Sequence, residues 1–325
     1  MSHRTSAKVV LDSITPHGSE TRLMSMYVIF PKMIIGERNR HRAFSLSDRS
    51  SRAVPPEKLI DEVVLDPAMP AKFRRRSKGM GGGEELVGDE LVEAQERWRR
   101  AAFTAAGWAG IAAKAGEAKE TANRPIDPYI RMHSLMTATR DCWLNFFGLR
   151  LDEGADPTIQ VLAQRCFEVY KDSTPKLLEP GEWHLPFVDD DEVFQNSMGP
   201  DVWTIDDRPG KGLTVIEVAK RLSAARCAHL SYNDLETGKR MTVDRALLIY
   251  DKLVTSRPLH ASPCEHQATP DEWRSYAMKR EEVDAGTQYG EWVHRSEHGN
   301  LLGWRQARKM LPGEAVAPLP EGYEL

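Results

Sequence analysis

Between Lys8 and Ile35 apolar and β-branched residues run almost unbroken into "RLMSMYVIFPKMII", which predicts extended segments, with Pro31 at a strand end or edge. The pattern then changes. "PPEKLIDEVVLDPAMP" predicts a short helix or turn fenced by prolines. Over residues 88–120, Leu91, Ala94, Trp98, Ala101 and Ala105 recur at three- and four-residue steps, the period of a helix with one apolar face. "NRPIDP" interrupts the chain, and the mostly apolar run from Tyr129 to Phe147 predicts a second long helix, ending in "NFFGLR". Asp156 followed by Pro157 predicts an N-cap with proline at the first helical position, the helix running to about Tyr170. "EPGEWHLPFVDDDE" reads as a loop, with its aromatic "GEWHLPF" packed rather than a lid, and the segment to about Gly212 as irregular. Helices are expected near Val215–Cys227 and Val243–Thr255. No tandem repeat of fixed period occurs.

Length and charge narrow the class. A chain of 325 residues builds one large domain or two modest ones. With a net charge of -4 there is no global basic field for nucleic acid. No apolar run reaches the roughly 18 residues of a membrane span, and "MSHRTSAKVV" lacks a secretory signal pattern. Cys142, Cys166, Cys227 and Cys264 are scattered without metal-ligand or disulfide-like spacing, so a cytoplasmic location is expected. Neither Cys142 nor Cys264 has an obvious basic activator, which argues against a cysteine nucleophile.

Local charge is another matter. "RNRHRAFSLSDRSSRAVP", from Arg38 to Pro55, holds five arginines, a histidine, four serines and one aspartate. Arginine forks and serine hydroxyls suit phosphate oxygens; a charged surface turn has the same composition. "KFRRRSKGMGGGEE" is either a solvated loop or a phosphate-side flap, and matches no phosphate-loop spacing. His260 and His266 enclose Pro263 and Glu265 without zinc spacing or a third ligand, so no metal is expected. On residue types alone, Asn145 and Arg150 read as a helix C-terminal cap pair.

The spacing within "RHRAFSLSDRSSR" resembles the signature of the flavin-dependent thymidylate synthases, the ThyX family. Arg40, His41, Arg42, Ser45, Ser50 and Arg52 match it; Ser47 stands where the family has Asn, and Asp48 where it has Glu. "MHSLMTATRDCWLNFFGLR" resembles a second family segment, through Asn145, Leu149 and Arg150, with Thr139 replacing an Asn and Asp141 replacing a frequent Arg. "NRPIDP" resembles an element that supplies a phosphate ligand, here Arg124. "AARCAHLSY", "HASPCEH" and "GWRQARK" resemble segments that in the family precede the Arg-His-Arg motif, yet here they follow it. The order resembles that of permuted, phage-type relatives.

The resemblance implies a single α/β (α+β) domain over 1–325, a mostly antiparallel sheet with a helical bundle, circularly permuted. Residues 1–60 would carry the strand and signature, 61–185 the helical part and 213–325 the permuted segment, leaving 186–212 and 271–297 without a counterpart. It implies a homotetramer in which NADPH reduces FAD and methylenetetrahydrofolate supplies one carbon to C5 of dUMP, without an enzyme cysteine. In that scheme Arg40, His41, Arg42, Asn145, His260 and Ser262 hold FAD. Ser50, Ser51, Arg52 and Arg124 hold the dUMP phosphate, Asp48 and Gln306 are further nucleotide contacts, and Arg150 activates the base. Two alternatives stay open: hydroxymethylation or related C5 modification of dUMP or dCMP, and a non-enzymatic nucleic-acid-binding protein using its two basic segments.

Overall fold

The computed structural model describes residues 5–78, 82–199, 201–230, 240–255, 259–276, 290–315 and 322. Its centre is a five-stranded sheet of β1 (Ser6–Ile14), β2 (Leu23–Pro31), β3 (Ser45–Asp48), β4 (Arg131–Thr139) and β5 (Lys176–Leu177), in the order β3-β4-β2-β1-β5. All pairings are antiparallel except that of β1 with the short β5. β2 and β4 pair along their whole length, from Leu23 opposite Thr139 to Pro31 opposite Arg131. The long helix expected from Tyr129 to Phe147 is therefore half strand: helix begins only at Arg140. β4 is a central strand buried on both faces along most of its length, so it lacks the apolar–polar alternation that marks a half-buried strand. The extended run also stops earlier than its composition suggests. After Pro31, a 3-10 turn (Lys32–Ile34) leads into α1 (Ile35–Asn39), which carries the chain to Arg40.

α2 (Pro56–Leu65) packs against α3 (Gly88–Lys114), followed by α4 (Lys119–Ala122). Ala102, Ala106 and Ala109 bring the two long helices together over Leu59 and Val63. α5 (Arg140–Arg150) and α6 (Pro157–Asp172) cover one face of the sheet, and Asp156 caps α6 through the backbone N–H of Thr158 as expected. Met24, Met26, Val28 and Phe30 of β2 meet Trp143, Phe146, Ile159 and Leu162 there. Each such side chain, fully buried, contributes about 1.5–3 kcal/mol.

The opposite face is covered from the C-terminal half. α7 (Asp190–Gln195), α8 (Val215–Ala228) and α9 (Val243–Tyr250, continued by a π turn to Thr255) lie with two small ladders. These pair β6 (Ala268–Pro270) with β9 (Trp304–Gln306), and β7 (Trp273–Ser275) with β8 (Gly290–Trp292). Tyr27, Ile29 and Leu135 pack on Phe187, Cys227 and Leu230, while Leu23 meets Ala268, Leu301 and Trp304. A buried polar row crosses this face. His184, from "GEWHLPF", bridges Ser13 Oγ and Ser25 Oγ, each at 2.8 Å. Ser25 Oγ lies 2.6 Å from Thr137 Oγ1. His266 then bridges Thr137 Oγ1 at 2.9 Å and Ser47 Oγ at 3.0 Å. Burial holds both imidazoles neutral, with pKa values pushed down to about 3.

Candidate functional site

The structure divides the five arginines of the Arg38–Pro55 stretch into two groups. Arg38 is fully buried, its Nη2 at 2.6 Å from each carboxylate oxygen of Asp48. Arg49 is also buried and forks onto Glu62 of α2 at 2.9 and 3.1 Å, with a third bond to the Arg131 carbonyl. Both are scaffold. Arg40 and Arg42, by contrast, are exposed and form no ion pair among the described residues. Arg52 is 69% exposed and only loosely paired, 3.7 Å from Glu120. Alternation around α1 and the following turn does the sorting: Arg38 and His41 face inward, Arg40 and Arg42 outward.

His41 lies in the wall of one cavity. Arg40, His41, Arg42, Asn145 and Arg150 line a space of ≈ 350 Å³ together with Asp141, Cys142 and Leu149. α5 presents them because Trp143, Phe146 and Phe147 point into the core, which leaves Asp141, Asn145 and Leu149 on its outer face. Arg150 is not a cap: its Nε donates to His41 Nε2 at 2.8 Å and its Nη2 to the Glu37 carbonyl at 3.2 Å. An arginine only donates, so His41 accepts on Nε2 and a neutral ring carries its hydrogen on Nδ1. Burial, then the Arg150 charge, lowers the His41 pKa to about 4.

A second group lies where the chain leaves β3. Asn123 donates to the carbonyls of Ser51 (2.8 Å) and Val54 (3.2 Å), which ties the turn to the segment that begins at Arg124. Ser50 and Arg52 are exposed on this turn, and the Arg52 N–H donates to Ser50 Oγ at 3.3 Å. Arg124 is exposed too and donates to Asp127 at 3.3 Å. Asn123 thus ties the Ser50–Arg52 turn to the segment that begins with Arg124, and the guanidinium groups of Arg52 and Arg124 are both exposed, each beside one carboxylate.

Other expected residues fall elsewhere. His260 and Ser262 are exposed, and among the described residues neither is bonded to the Arg40–Arg42 segment of the same chain. From the same "HASPCEH" it is Glu265 and His266 that reach β3: the Glu265 carbonyl accepts from Ser45 Oγ, and His266 takes Ser47. Gln306 is buried and donates to the Glu265 carbonyl and to Asn300 Oδ1, at 3.0 and 2.8 Å. Asp48 is committed to Arg38. Asn123 and Asn300 carry no signal in the sequence beyond an ordinary turn composition, although Asn300 donates to the Ala43 carbonyl at 2.8 Å and so holds the signature segment. The basic segment from Lys72 to Lys78 enters a hairpin, with Arg74 bridged to Glu85, and among the described residues Lys72 pairs with Glu85 and Arg75 with Glu90. Burial raises the thiols of Cys166, Cys227 and Cys264, the last to about 12. No helix among the described residues is long and apolar enough to cross a membrane.

A family model described as "Thymidylate synthase complementing protein" matches residues 14–176. That match includes the Arg-His-Arg segment, the Ser50–Arg52 turn, Arg124 and α5. No curated protein matches the chain. Among solved structures, a UMP/dUMP methylase PolB from Streptomyces cacaoi bound with 5-Br dUMP aligns over 53% of this chain and 91% of its own, at 16% identity and a TM-score of 0.44. The same methylase bound with 5-Br UMP aligns over 53% and 90%, at 15% identity and 0.43.

Proposed function

Because this chain belongs to the thymidylate synthase complementing protein family, an enzyme class, we propose that it modifies C5 of a pyrimidine deoxynucleotide, with FAD as its redox cofactor. The observation that carries this reading is the convergence of Arg40, His41, Arg42, Asn145 and Arg150 on one cavity. Two unpaired guanidinium groups and an exposed amide are the donors that a diphosphate-bearing flavin needs. The residues present therefore fit the group. The cavity lies near the lower end of the roughly 300–1,000 Å³ that holds drug-sized ligands. A flavin dinucleotide overfills it, and a second subunit would cover the remainder. His260 and Ser262, exposed on the covering lobe, are the residues proposed to do so, within a homotetramer.

In this scheme the Ser50–Arg52 turn and Arg124 fix the nucleotide phosphate, and Arg150 faces the base. A guanidinium beside the ring stabilises negative charge that develops on it, and a fixed phosphate makes the attack geometry unimolecular. When bound, reduced flavin supplies the electrons that convert a transferred one-carbon unit to methyl. NADPH is the proposed reductant and methylenetetrahydrofolate the proposed carbon donor. dUMP is the proposed substrate, and 213–325 is proposed to carry the elements that precede the signature in other members. The purified protein is expected to be yellow and to give thymidylate from dUMP, methylenetetrahydrofolate and NADPH. Mass analysis of products from parallel incubations with dUMP and dCMP tests this. A hydroxymethyl product would select the alternative chemistry; a colourless protein that binds arbitrary DNA in a salt-sensitive way would overturn the enzyme reading.

A further inference from the structure

Arg38 has no exposed surface, and its guanidinium carbon lies 5.5 Å from the centre of the Phe30 ring. Both oxygens of Asp48 converge on its Nη2, while its Nε and Nη1 have no hydrogen-bond partner. Asp48 is thus the counter-ion of a buried cation, and a buried charge left without its partner is strongly unfavourable. The pair sits at a decisive place. Asp48 is the last residue of β3, opposite Ser134 of β4, and the Arg49 N–H makes one further bond to the His133 carbonyl at 2.8 Å. The chain then leaves the sheet as the Ser50–Arg52 turn. Asp48 fixes where that departure starts, while the Arg49–Glu62 pair and the bonds of Asn123 to the Ser51 and Val54 carbonyls hold the turn that follows.

We propose that Arg38 is a positioning residue for the phosphate-binding turn, and that Asp48 acts through Arg38 rather than as a ligand of the nucleotide. The inference rests on the reading of that turn as a phosphate site. It accounts for the aspartate in a signature whose acid is otherwise glutamate: with Arg38 at 2.6 Å, the shorter side chain already spans the gap. Arg38 belongs to the same run of arginines as Arg40, Arg42 and Arg52, but it serves the site from beneath.

The test is binding of dUMP and of deoxyuridine, which lacks the phosphate, to the full-length protein and to Arg38→Lys, Arg38→Met, Asp48→Asn and Asp48→Glu variants, with thermal unfolding as the fold control. Arg38→Lys and Arg38→Met are expected to weaken dUMP about tenfold or more while leaving deoxyuridine within about twofold. Asp48→Asn should match them, and Arg38→Met with Asp48→Asn should be no worse than either alone. Asp48→Glu, which keeps both charges, should fold and still bind dUMP less tightly. Unchanged dUMP affinity in folded Arg38→Lys and Asp48→Glu overturns the proposal. So does an equal loss for dUMP and deoxyuridine, which marks a merely structural role, or a loss on Asp48→Asn that Arg38→Met does not share. Wild-type protein that binds neither dUMP nor inorganic phosphate overturns the functional reading, and this inference with it.

Discussion

Arg150 and His41 are bonded directly to one another, Nε to Nε2 at 2.8 Å, across the cavity that α5 and the turn after α1 enclose. The guanidinium is held by one side chain and one carbonyl, through Nε and Nη2, and its proposed partner is the nucleotide base. Arg150→Ala is accordingly expected to lower turnover more than nucleotide affinity, with FAD retained. Single-turnover rate, nucleotide affinity and flavin content check this; loss of flavin, or normal turnover at saturating nucleotide, would show the assignment of Arg150 to be wrong. The same variant should raise the His41 pKa above about 4 without restoring it fully, because burial is the larger cause.

Arg52 and Arg49 lie three residues apart and should fail in opposite ways. Arg52 is exposed, so Arg52→Ala should leave the melting temperature unchanged and weaken dUMP about ten- to a hundredfold, the value of a charge-assisted bond of roughly 1.5–3 kcal/mol. Arg49 is buried on Glu62, so Arg49→Ala strands a carboxylate and should lower the melting temperature. Calorimetry and titration of both variants separate the two roles. Equal melting temperatures would contradict the division of the arginines.

Stability should fall on the acid side for a nameable reason. His184 and His266 have folded pKa values of about 3 against about 6.5 in the unfolded chain. Between those values the unfolded state takes up protons that the folded state refuses, so stability is intact above pH 6.5 and is lost as pH falls toward 3. The loss is on the order of 2 kcal/mol for each histidine by pH 5. Urea midpoints from pH 7 to pH 4.5 measure it. His266→Gln should flatten the acid limb, and an unaltered slope in that variant counts against the assignment.

Exposed Arg40, Arg42, His260 and Ser262 predict that flavin is retained only by an oligomer. Sedimentation should find FAD in a multi-subunit species. A monomer that keeps stoichiometric FAD would falsify this.

The sequence carried the signature segment and the α6 cap clearly, because both depend on residues that are neighbours in the chain. It misread β4 because a strand with two apolar faces has no period of its own; its identity comes from β2, more than a hundred residues earlier. It counted five arginines alike because composition does not distinguish a guanidinium turned inward to Asp48 or Glu62 from one turned to solvent. The Arg150–His41 bond was hidden for a similar reason. Each residue was legible as a candidate, but their contact depends on how α5 lies across the turn after α1.

The row of hydroxyls and imidazoles from Ser13 to Ser47 has a direction. If His184 carries its hydrogen on Nδ1, Ser25 must donate to its Nε2, and Thr137 must then donate to Ser25. His266 is left to donate to Thr137 from Nδ1, and Ser47 to donate to His266. One tautomer at His184 therefore dictates the tautomer at His266, across four strands and between two segments of chain that are themselves bridged at His184 and Ala268. Nitrogen-15 spectra of the two rings should show this correlation. A single hydrogen placed on the β1 side of the sheet sets the orientation of the Ser47 hydroxyl, two residues before the chain begins to leave the sheet at Arg49.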